Sequence, residues 1–127
     1  MTALAFSRGD VIGSQTLAAS VNTNPVVVRR LLLALRRARL IDTFTGKHGG
    51  ARLRKKPREI SLVDIYDAVE PRPVIRVNER KALKQCHVSC NMKSIMSHVA
   101  ESTEKAVRKH LRSISLAQLV RKVPPPR

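Results

Sequence analysis

The chain has 127 residues, enough for one domain or for one small domain with an assembly element, so one compact unit is expected. Its 25 lysines and arginines against 9 aspartates and glutamates give a net charge of +16, which indicates a polyanionic partner. Aromatic residues make up only 2% of the chain, so the stacking surfaces that bind single strands are nearly absent and duplex DNA is favoured.

The first two predicted elements are short helices. Residues 2–7 form an apolar piece typical of the end of a helix, and residues 8–10 break it with turn-forming side chains. Ser14 is predicted to cap a second helix over residues 14–21, where apolar side chains recur every three or four positions.

The third predicted helix is basic on one face. Asn24 is a good N-cap and Pro25 a good first helical residue, so the helix is expected to begin here and to run to about Leu40. Four apolar side chains are predicted to face inward: Val28, Leu31, Leu32 and Leu35. The open side and its borders then carry the arginines: Arg29, Arg30, Arg36, Arg37 and Arg39. Two helices joined by a short turn, the second one basic, are typical of a helix-turn-helix.

A basic β-hairpin is predicted after this helix. Residues 41–45 alternate as a short strand, residues 46–50 form a glycine-rich tip, and residues 51–53 form the returning strand. The segment 29–58 holds eleven lysines and arginines against one acid, Asp42. A basic helix followed by a basic hairpin is typical of a winged helix that binds DNA.

A fourth helix and a chain boundary follow. Ser61 is predicted to cap this helix, and the Pro-Arg-Pro run at 71–73 to end it. Its apolar face is expected to carry Leu62, Ile65, Tyr66 and Val69. We therefore predict a winged helix-turn-helix DNA-binding domain over residues 1–70, a linker or sensor loop over 71–90, and dimerisation helices with a disordered tail over 91–127.

A long amphipathic helix is predicted from about Asn91 to Ser113, with a final helix over residues 115–123. An apolar stripe of this length in so small a chain lacks a partner in its own domain, which predicts a homodimer. Its interface is expected to include Ile95, Met96, Val99, Ala106, Val107 and His110. The predicted fold class is thus mainly α with a small β-hairpin, a winged helix-turn-helix with a long C-terminal dimerisation helix.

Two motifs resemble the Rrf-two family of bacterial winged-helix regulators of the IscR, NsrR and CymR type. They are VNTNPVVVRRLLLALRRARLIDTFTGKHGGARL at residues 21–53 and IYDAVE at residues 65–70, and the similarity covers roughly residues 12–122. The resemblance implies a homodimeric DNA-binding repressor. It implies a recognition helix in the major groove, a wing in or beside the minor groove, and a long helix that crosses its twin. Family members sense iron-sulfur clusters, nitric oxide, cysteine status or unknown signals.

The chain departs from the family pattern at two places. Members usually begin with a basic segment and a full first helix, whereas only TALAF stands here, so the chain is expected to be N-terminally shortened. Cluster-binding members place three cysteines after the AVE motif, whereas this chain has only Cys86 and Cys90. An iron-sulfur cluster is therefore disfavoured, and no cofactor is predicted.

The predicted DNA contacts lie in the third helix and in the wing. Arg29 and Arg30 are the preferred base readers, whereas Asn24 serves either as a helix cap or as a base contact, and the nearby valines either pack or touch thymine methyl groups. The wing tip either enters a minor groove or is an ordinary solvated turn. The full predicted set is Ser14, Thr23, Asn24, Val26, Val27, Arg29, Arg30, Arg36, Lys47, His48, Gly49 and Gly50.

Cys86 and Cys90 carry the predicted sensing chemistry. In a helix their spacing brings the two thiols together, and nearby lysines favour the reactive thiolate. Inert thiols, a redox switch and a metal site with His87 remain open alternatives, but a closed four-ligand metal site is not visible in the sequence. We predict thiol oxidation or no sensing at all.

The sequence predicts a sequence-specific DNA-binding transcriptional regulator, a dimeric repressor, rather than an enzyme. It contains no nucleophile motif, phosphate-binding loop or paired carboxylates. Without a signal peptide or an apolar run of about 18 residues, the protein is expected to be cytoplasmic and not to bind membranes. The alternatives are a sequence-independent basic architectural protein that binds nucleic acid, and a thiol or metal sensor that acts through a protein partner.

Overall fold

The structure is a computed structural model that describes residues 1–125. Within these residues it confirms the predicted class, since six α-helices accompany one antiparallel hairpin of two strands. The elements are α1 (Thr2–Phe6), α2 (Ser14–Ser20), α3 (Pro25–Arg37), β1 (Ile41–Phe44), β2 (Gly50–Leu53), α4 (Leu62–Val69), α5 (His87–Arg112) and α6 (Leu116–Arg121). A 3-10 turn, Pro57–Glu59, joins the hairpin to α4. The prediction of a disordered tail concerns in part residues 126 and 127, which lie outside the described residues.

The core is built from both ends of the chain. Its fully buried large side chains are Leu4, Ile41, Ile60 and Leu116, and α3 adds Val28, Leu32 and Leu35. Leu31 was predicted to face inward, and that prediction is wrong, because the side chain is 41% exposed. It lies at the border of the buried stripe of α3.

Two predicted helix caps are confirmed. The Asn24 side chain accepts a hydrogen bond from the Val26 amide at 2.8 Å, with Pro25 as the first residue of α3. Ser61 accepts from the Asp64 amide at 3.3 Å and begins α4. Each cap satisfies an amide that the first turn of a helix would otherwise leave unpaired.

The predicted cap of α2 is wrong. Gly13 occupies the N-cap position without a side-chain hydrogen bond, and Ser14 is already the first helical residue. The cause is the preceding segment, in which Ile12 exchanges two backbone hydrogen bonds of 2.9 Å with Ala51 of β2. This bridge holds the chain extended up to Gly13, so the helix begins only at Ser14 and its hydroxyl is free for another partner.

The last helix, α6, packs against α1 and the 3-10 turn. Its position is fixed by two backbone hydrogen bonds, from the Leu62 amide to the Ile114 carbonyl at 2.9 Å and from the Leu116 amide to the Ile60 carbonyl at 2.8 Å. Leu116 of this segment is buried in the core, whereas we predicted that residues 91–127 form the dimerisation helices and the tail.

The long helix α5 begins at His87, four residues before the predicted start. The earlier start follows from Cys86, whose Sγ accepts a hydrogen bond from the Ser89 amide at 3.4 Å and serves as the N-cap. Residues 71–86 form neither helix nor strand. This linker is held to α5 by the amide of Val74, which donates to Glu104 Oε2 at 3.1 Å.

Candidate nucleic-acid interface

Helix α3 has three faces, because successive residues are about 100° apart around a helix axis. The buried face packs on the core through Val28, Leu32 and Leu35. The outer face, opposite the core, is exposed and carries Val26, Arg30 and Arg37. A third face, between the other two, is directed toward the hairpin and carries Arg29, Leu33 and Arg36.

The start of α3 leaves small side chains open on the outer face. Val26 is 63% exposed and Thr23 is exposed in the turn before the helix, whereas Val27 is half-buried. Asn24 is exposed, but its side-chain oxygen is engaged in the cap, so the capping role is the one the structure shows. Arg30 follows Val26 by one turn and extends the outer face with a cationic group.

The hairpin forms a wing whose tip carries Lys47 and His48, both exposed. Its return requires glycine, because a Cβ atom on Gly49 would lie 2.5 Å from the Phe44 carbonyl oxygen. The Arg52 guanidinium lies over the Phe44 ring, 4.9 Å from its centroid, and this cation–π contact braces the two strands. Lys47 is therefore presented at the tip of a tight turn.

A groove of about 440 Å³ separates α3 from the wing. Two of the predicted arginines border it, and each donates a hydrogen bond to a hydroxyl: Arg29 Nε to Ser14 Oγ and Arg36 Nη1 to Thr43 Oγ1, both at 3.3 Å. Gly49 and Gly50 line its other side, together with Thr45. The sequence reasoning missed Thr43 and Thr45, because nothing distinguishes these threonines from others that simply favour a strand.

Among residues 1–125, the cations of α3 and the wing form no ion pair with an acidic side chain. The ion pairs found within residues 1–125 join Arg72 to Glu70 at 3.6 Å and Arg108 to Asp67, and both lie outside this region. The arginines of α3 and the lysine of the wing tip are thus available to the phosphates of a polyanion.

Helix α5 carries an exposed apolar stripe. Among the predicted dimer residues, Ile95, Met96 and Val99 are 53%, 36% and 42% exposed. Ala106 and His110 are also exposed, and Val107 is half-buried. The stripe continues toward the N-terminus through Met92 and Val88. Val88 was missed because the helix was predicted to begin after it.

Helix α4 is fastened to α5 on another face. The Arg108 guanidinium pairs with both carboxylate oxygens of Asp67, with Nη2 2.9 Å from Oδ2. The hydrogen bond from Arg108 lowers the pKa of Asp67 below its ordinary value. Glu104 adds a second connection, since Tyr66 of α4 donates to its Oε1 at 3.3 Å. Helices α4 and α5 are therefore joined at two points.

A capped basic helix that is open opposite its core, together with a glycine-tipped basic wing, defines a winged helix-turn-helix protein of the DNA-binding class. The family described as "Rrf2: Iron-dependent Transcriptional regulator" matches residues 1–122. The chain therefore belongs to the Rrf2 family, and it is a DNA-binding transcriptional regulator. No helix within residues 1–125 is long and apolar enough to span a bilayer.

Three relatives illustrate the similarity. YwnA of Bacillus subtilis (strain 168), described as an HTH-type transcriptional regulator, is 33% identical over 117 residues, which are 91% of this chain and 86% of that protein. A crystal structure described as that of a DNA-binding protein is 34% identical with a TM-score of 0.66, over 85% of this chain and 83% of its own. CymR (YrzC), the global cysteine regulator of B. subtilis, is 21% identical with a TM-score of 0.65, over 97% and 88% of the two chains. At that identity the likeness to CymR concerns the fold alone.

The iron dependence in the family description raises the question of a metal centre. Within residues 1–125 no group of three or more His, Cys, Asp or Glu side chains is placed to hold a metal ion. The two cysteines are engaged with the backbone, since Cys86 caps α5 and Cys90 Sγ donates to the Leu83 carbonyl at 3.4 Å. The residues present therefore do not fit an iron-sulfur cluster, which needs more ligands than this pair supplies.

Proposed function

We propose that this regulator is a homodimeric repressor that recognises a specific operator with the outer face of α3. The observation that carries the proposal is the composition of that face, where Val26 and Arg30 stand exposed opposite the core. An arginine pairs with guanine and a valine methyl suits a thymine methyl, so this face suits reading of base edges in a major groove. Lys47 and His48 at the wing tip are the proposed contacts in or beside the minor groove.

The dimer is proposed from the apolar stripe of α5. Val88, Met92, Ile95 and Val99 follow one another at intervals of four, three and four residues and are exposed in the monomer. Such spacing is that of a helix that packs against a second helix. A two-fold axis along this stripe would place two copies of α3 about 34 Å apart, one turn of DNA.

The test is footprinting of the purified protein on the DNA upstream of its own gene, a place where many repressors bind. A protected region with two-fold sequence symmetry and half-sites about one turn apart is expected. Protection spread evenly along the DNA at every protein concentration would instead assign the chain to the architectural class. As a regulator that acts on the chromosome of a bacterium, it is proposed to work in the cytoplasm.

We further propose that Cys86 and Cys90 form a thiol switch with no resident cofactor. Both are exposed thiols that form no disulfide, and one turn of helix joins them, with the Cys90 amide donating to the Cys86 carbonyl at 3.0 Å. Peroxide would take two electrons and two protons from the thiols, breaking its O–O bond to give two waters as one S–S bond forms. The new bond removes the Cys90 donor from the Leu83 carbonyl and loosens the joint between linker and α5.

Operator affinity tests the switch. Peroxide is expected to change the affinity of the wild type and to leave that of the Cys86→Ser, Cys90→Ser double variant unchanged. Unchanged wild-type affinity after peroxide contradicts the thiol switch. Visible absorbance from iron in protein isolated without oxygen would in addition support a bound iron-sulfur cluster.

A further inference from the structure

We propose that the groove between α3 and the wing holds the phosphate backbone of one DNA strand, so that Arg29 and Arg36 bind phosphates while Arg30 alone reads bases. The inference rests on the proposed function and assigns phosphate binding and base reading to different arginines of α3. It also changes the assignment of Arg29, which the sequence places with Arg30 as a base reader.

Arg29 is directed away from the outer face of α3. Its Nε donates to Ser14 Oγ at 3.3 Å, across 15 residues of sequence, and this hydrogen bond turns the guanidinium toward the first turn of α2. Around the helix axis Arg29 lies about 100° from Arg30, on the side of the groove. A side chain held there faces the flank of a duplex whose bases meet the outer face.

Arg36 is held on the same face, two turns further along α3. Its Nη1 donates to Thr43 Oγ1 of β1 at 3.3 Å, which ties the recognition helix directly to the wing. The two arginines therefore stand at opposite ends of one groove, each restrained by a hydroxyl from another element. Restraint of this kind lowers the entropy that a long side chain loses when it binds a phosphate.

The remaining lining of the groove suits a phosphate backbone. It contains hydroxyl donors from Ser14, Thr43 and Thr45, and no acidic side chain lines it among the residues described. Gly49 and Gly50 contribute only backbone to the far wall, beside Thr45, so at these two positions no side chain hinders close approach. Leu33 supplies an apolar floor on which the sugar edge of a strand can rest.

The test compares Arg29→Gln with Arg30→Gln on the footprinted operator and on a scrambled duplex of the same length, over a series of salt concentrations. Arg29→Gln is expected to lower the affinity for both duplexes by the same factor. It should also reduce the magnitude of the slope of log affinity against log salt by about 0.9. Arg30→Gln, the matched control, is expected to reduce the preference for operator by about 5- to 150-fold.

Neutral methylphosphonate, placed at single positions of the operator backbone, locates the contact. At the phosphate that Arg29 binds, methylphosphonate should lower the operator affinity of the wild type but not that of Arg29→Gln, because both changes remove the same interaction. Ser14 and Thr43 are positioning residues, because their hydroxyls hold the two arginines. Thr43→Val should therefore lower the affinity for both duplexes by about two- to tenfold, and Thr43→Ser should retain the wild-type affinity. The same holds for Ser14→Ala and Ser14→Thr, and unchanged melting temperatures show that the fold is intact.

Three results would overturn the inference. One is a loss of operator preference in Arg29→Gln equal to that in Arg30→Gln. Another is the absence of any backbone position at which methylphosphonate and Arg29→Gln fail to add. The third combines two observations. Inorganic phosphate at constant ionic strength raises the melting temperature of the wild type saturably but not that of Arg29→Gln, and DNA binding by Arg29→Gln keeps the salt slope of the wild type. That result would assign the groove to a free phosphate. A wild type without operator preference would refute the proposed function itself.

Discussion

Gly50 attaches the wing to the segment that precedes α2. At this residue β2 passes so close to Ile12 that a Cβ atom would lie 2.2 Å from the Ile12 carbonyl oxygen. The neighbouring residue, Ala51, makes the two backbone hydrogen bonds of the bridge to Ile12. The position of the wing relative to α2 therefore depends on the absence of one side chain.

Gly50→Ala is expected to destabilise the protein by about 1 to 3 kcal/mol, because the added methyl group must push two backbone segments apart. Urea unfolding followed by circular dichroism measures the change. Gly13→Ala is the matched control, since a Cβ there would meet the Gly49 carbonyl oxygen at an ordinary 3.7 Å and its φ is −66°. Equal stability of Gly50→Ala and the wild type would contradict the close crossing.

The sequence allows prediction of residue roles where the cause is local. Asn24 and Ser61 were identified as caps because each forms a hydrogen bond with a residue only two or three positions away in the sequence. Ser14 was assigned wrongly, because the Ile12–Ala51 bridge, between residues far apart in sequence, decides where α2 begins. The contact between Ser14 and Arg29 is equally invisible to a local pattern.

At the scale of elements, the joint between α4 and α5 sets the direction of the long helix. Asp67 and Arg108 form its ion pair, and Glu104 binds both Tyr66 and the linker at Val74. The periodicity of the chain predicted both helices but not the contacts that join them. Surface charges outnumber the ion pairs that they form, so the sequence does not show which charges pair. In the same way, the pattern predicted α6 as a helix but did not reveal that Leu116 completes the core.

The ion pair gives stability a definite pH dependence. The pKa of Asp67 is lowered in the folded state by its hydrogen bond to Arg108, so the folded protein binds this proton more weakly than the unfolded chain. The contribution is present above the unfolded pKa of about 3.9 and is lost as the pH falls through the lower folded value.

Asp67→Asn is therefore expected to be less stable than the wild type at pH 7, with a difference that shrinks as the pH falls below about 4. Both side chains are partly exposed, so added salt should also reduce the difference. Urea unfolding across this pH range measures both effects. Glu101→Gln removes a carboxylate that forms no ion pair within residues 1–125 and should show neither. A difference for Asp67→Asn that stays constant down to pH 2 would contradict the pairing.

At the scale of the whole molecule, the distribution of exposed apolar surface predicts the assembly. The core is formed by large side chains from both ends of the chain, whereas α5 contains no buried residue. Its stripe includes Val88 at 65% and Ile95 at 53% exposure, an unusual amount of apolar surface for a helix that remains single. The sequence predicted this stripe because helical periodicity is a local property, and the second copy of the chain that we expect to cover it stays a prediction.

Ile95→Asp is expected to convert the dimer into a monomer, because it would bury a carboxylate without a partner in an apolar interface. Sedimentation equilibrium at micromolar concentration measures the assembly. Ser94→Asp adds the same charge at an exposed position outside the stripe and should leave the dimer intact. A wild type that sediments as a monomer, or an unaffected Ile95→Asp dimer, would refute the role of α5.

The central claim, that the outer face of α3 gives a paired and sequence-specific contact with DNA, is tested most directly by two affinities of the wild type. They are measured by fluorescence anisotropy at one fixed salt concentration, on the footprinted operator and on a scrambled duplex of equal length. We expect the operator to bind about 10³-fold or more tightly, with two protomers per duplex. Equal affinities for the two duplexes would contradict the claim and would leave a basic protein that binds DNA through its charge alone.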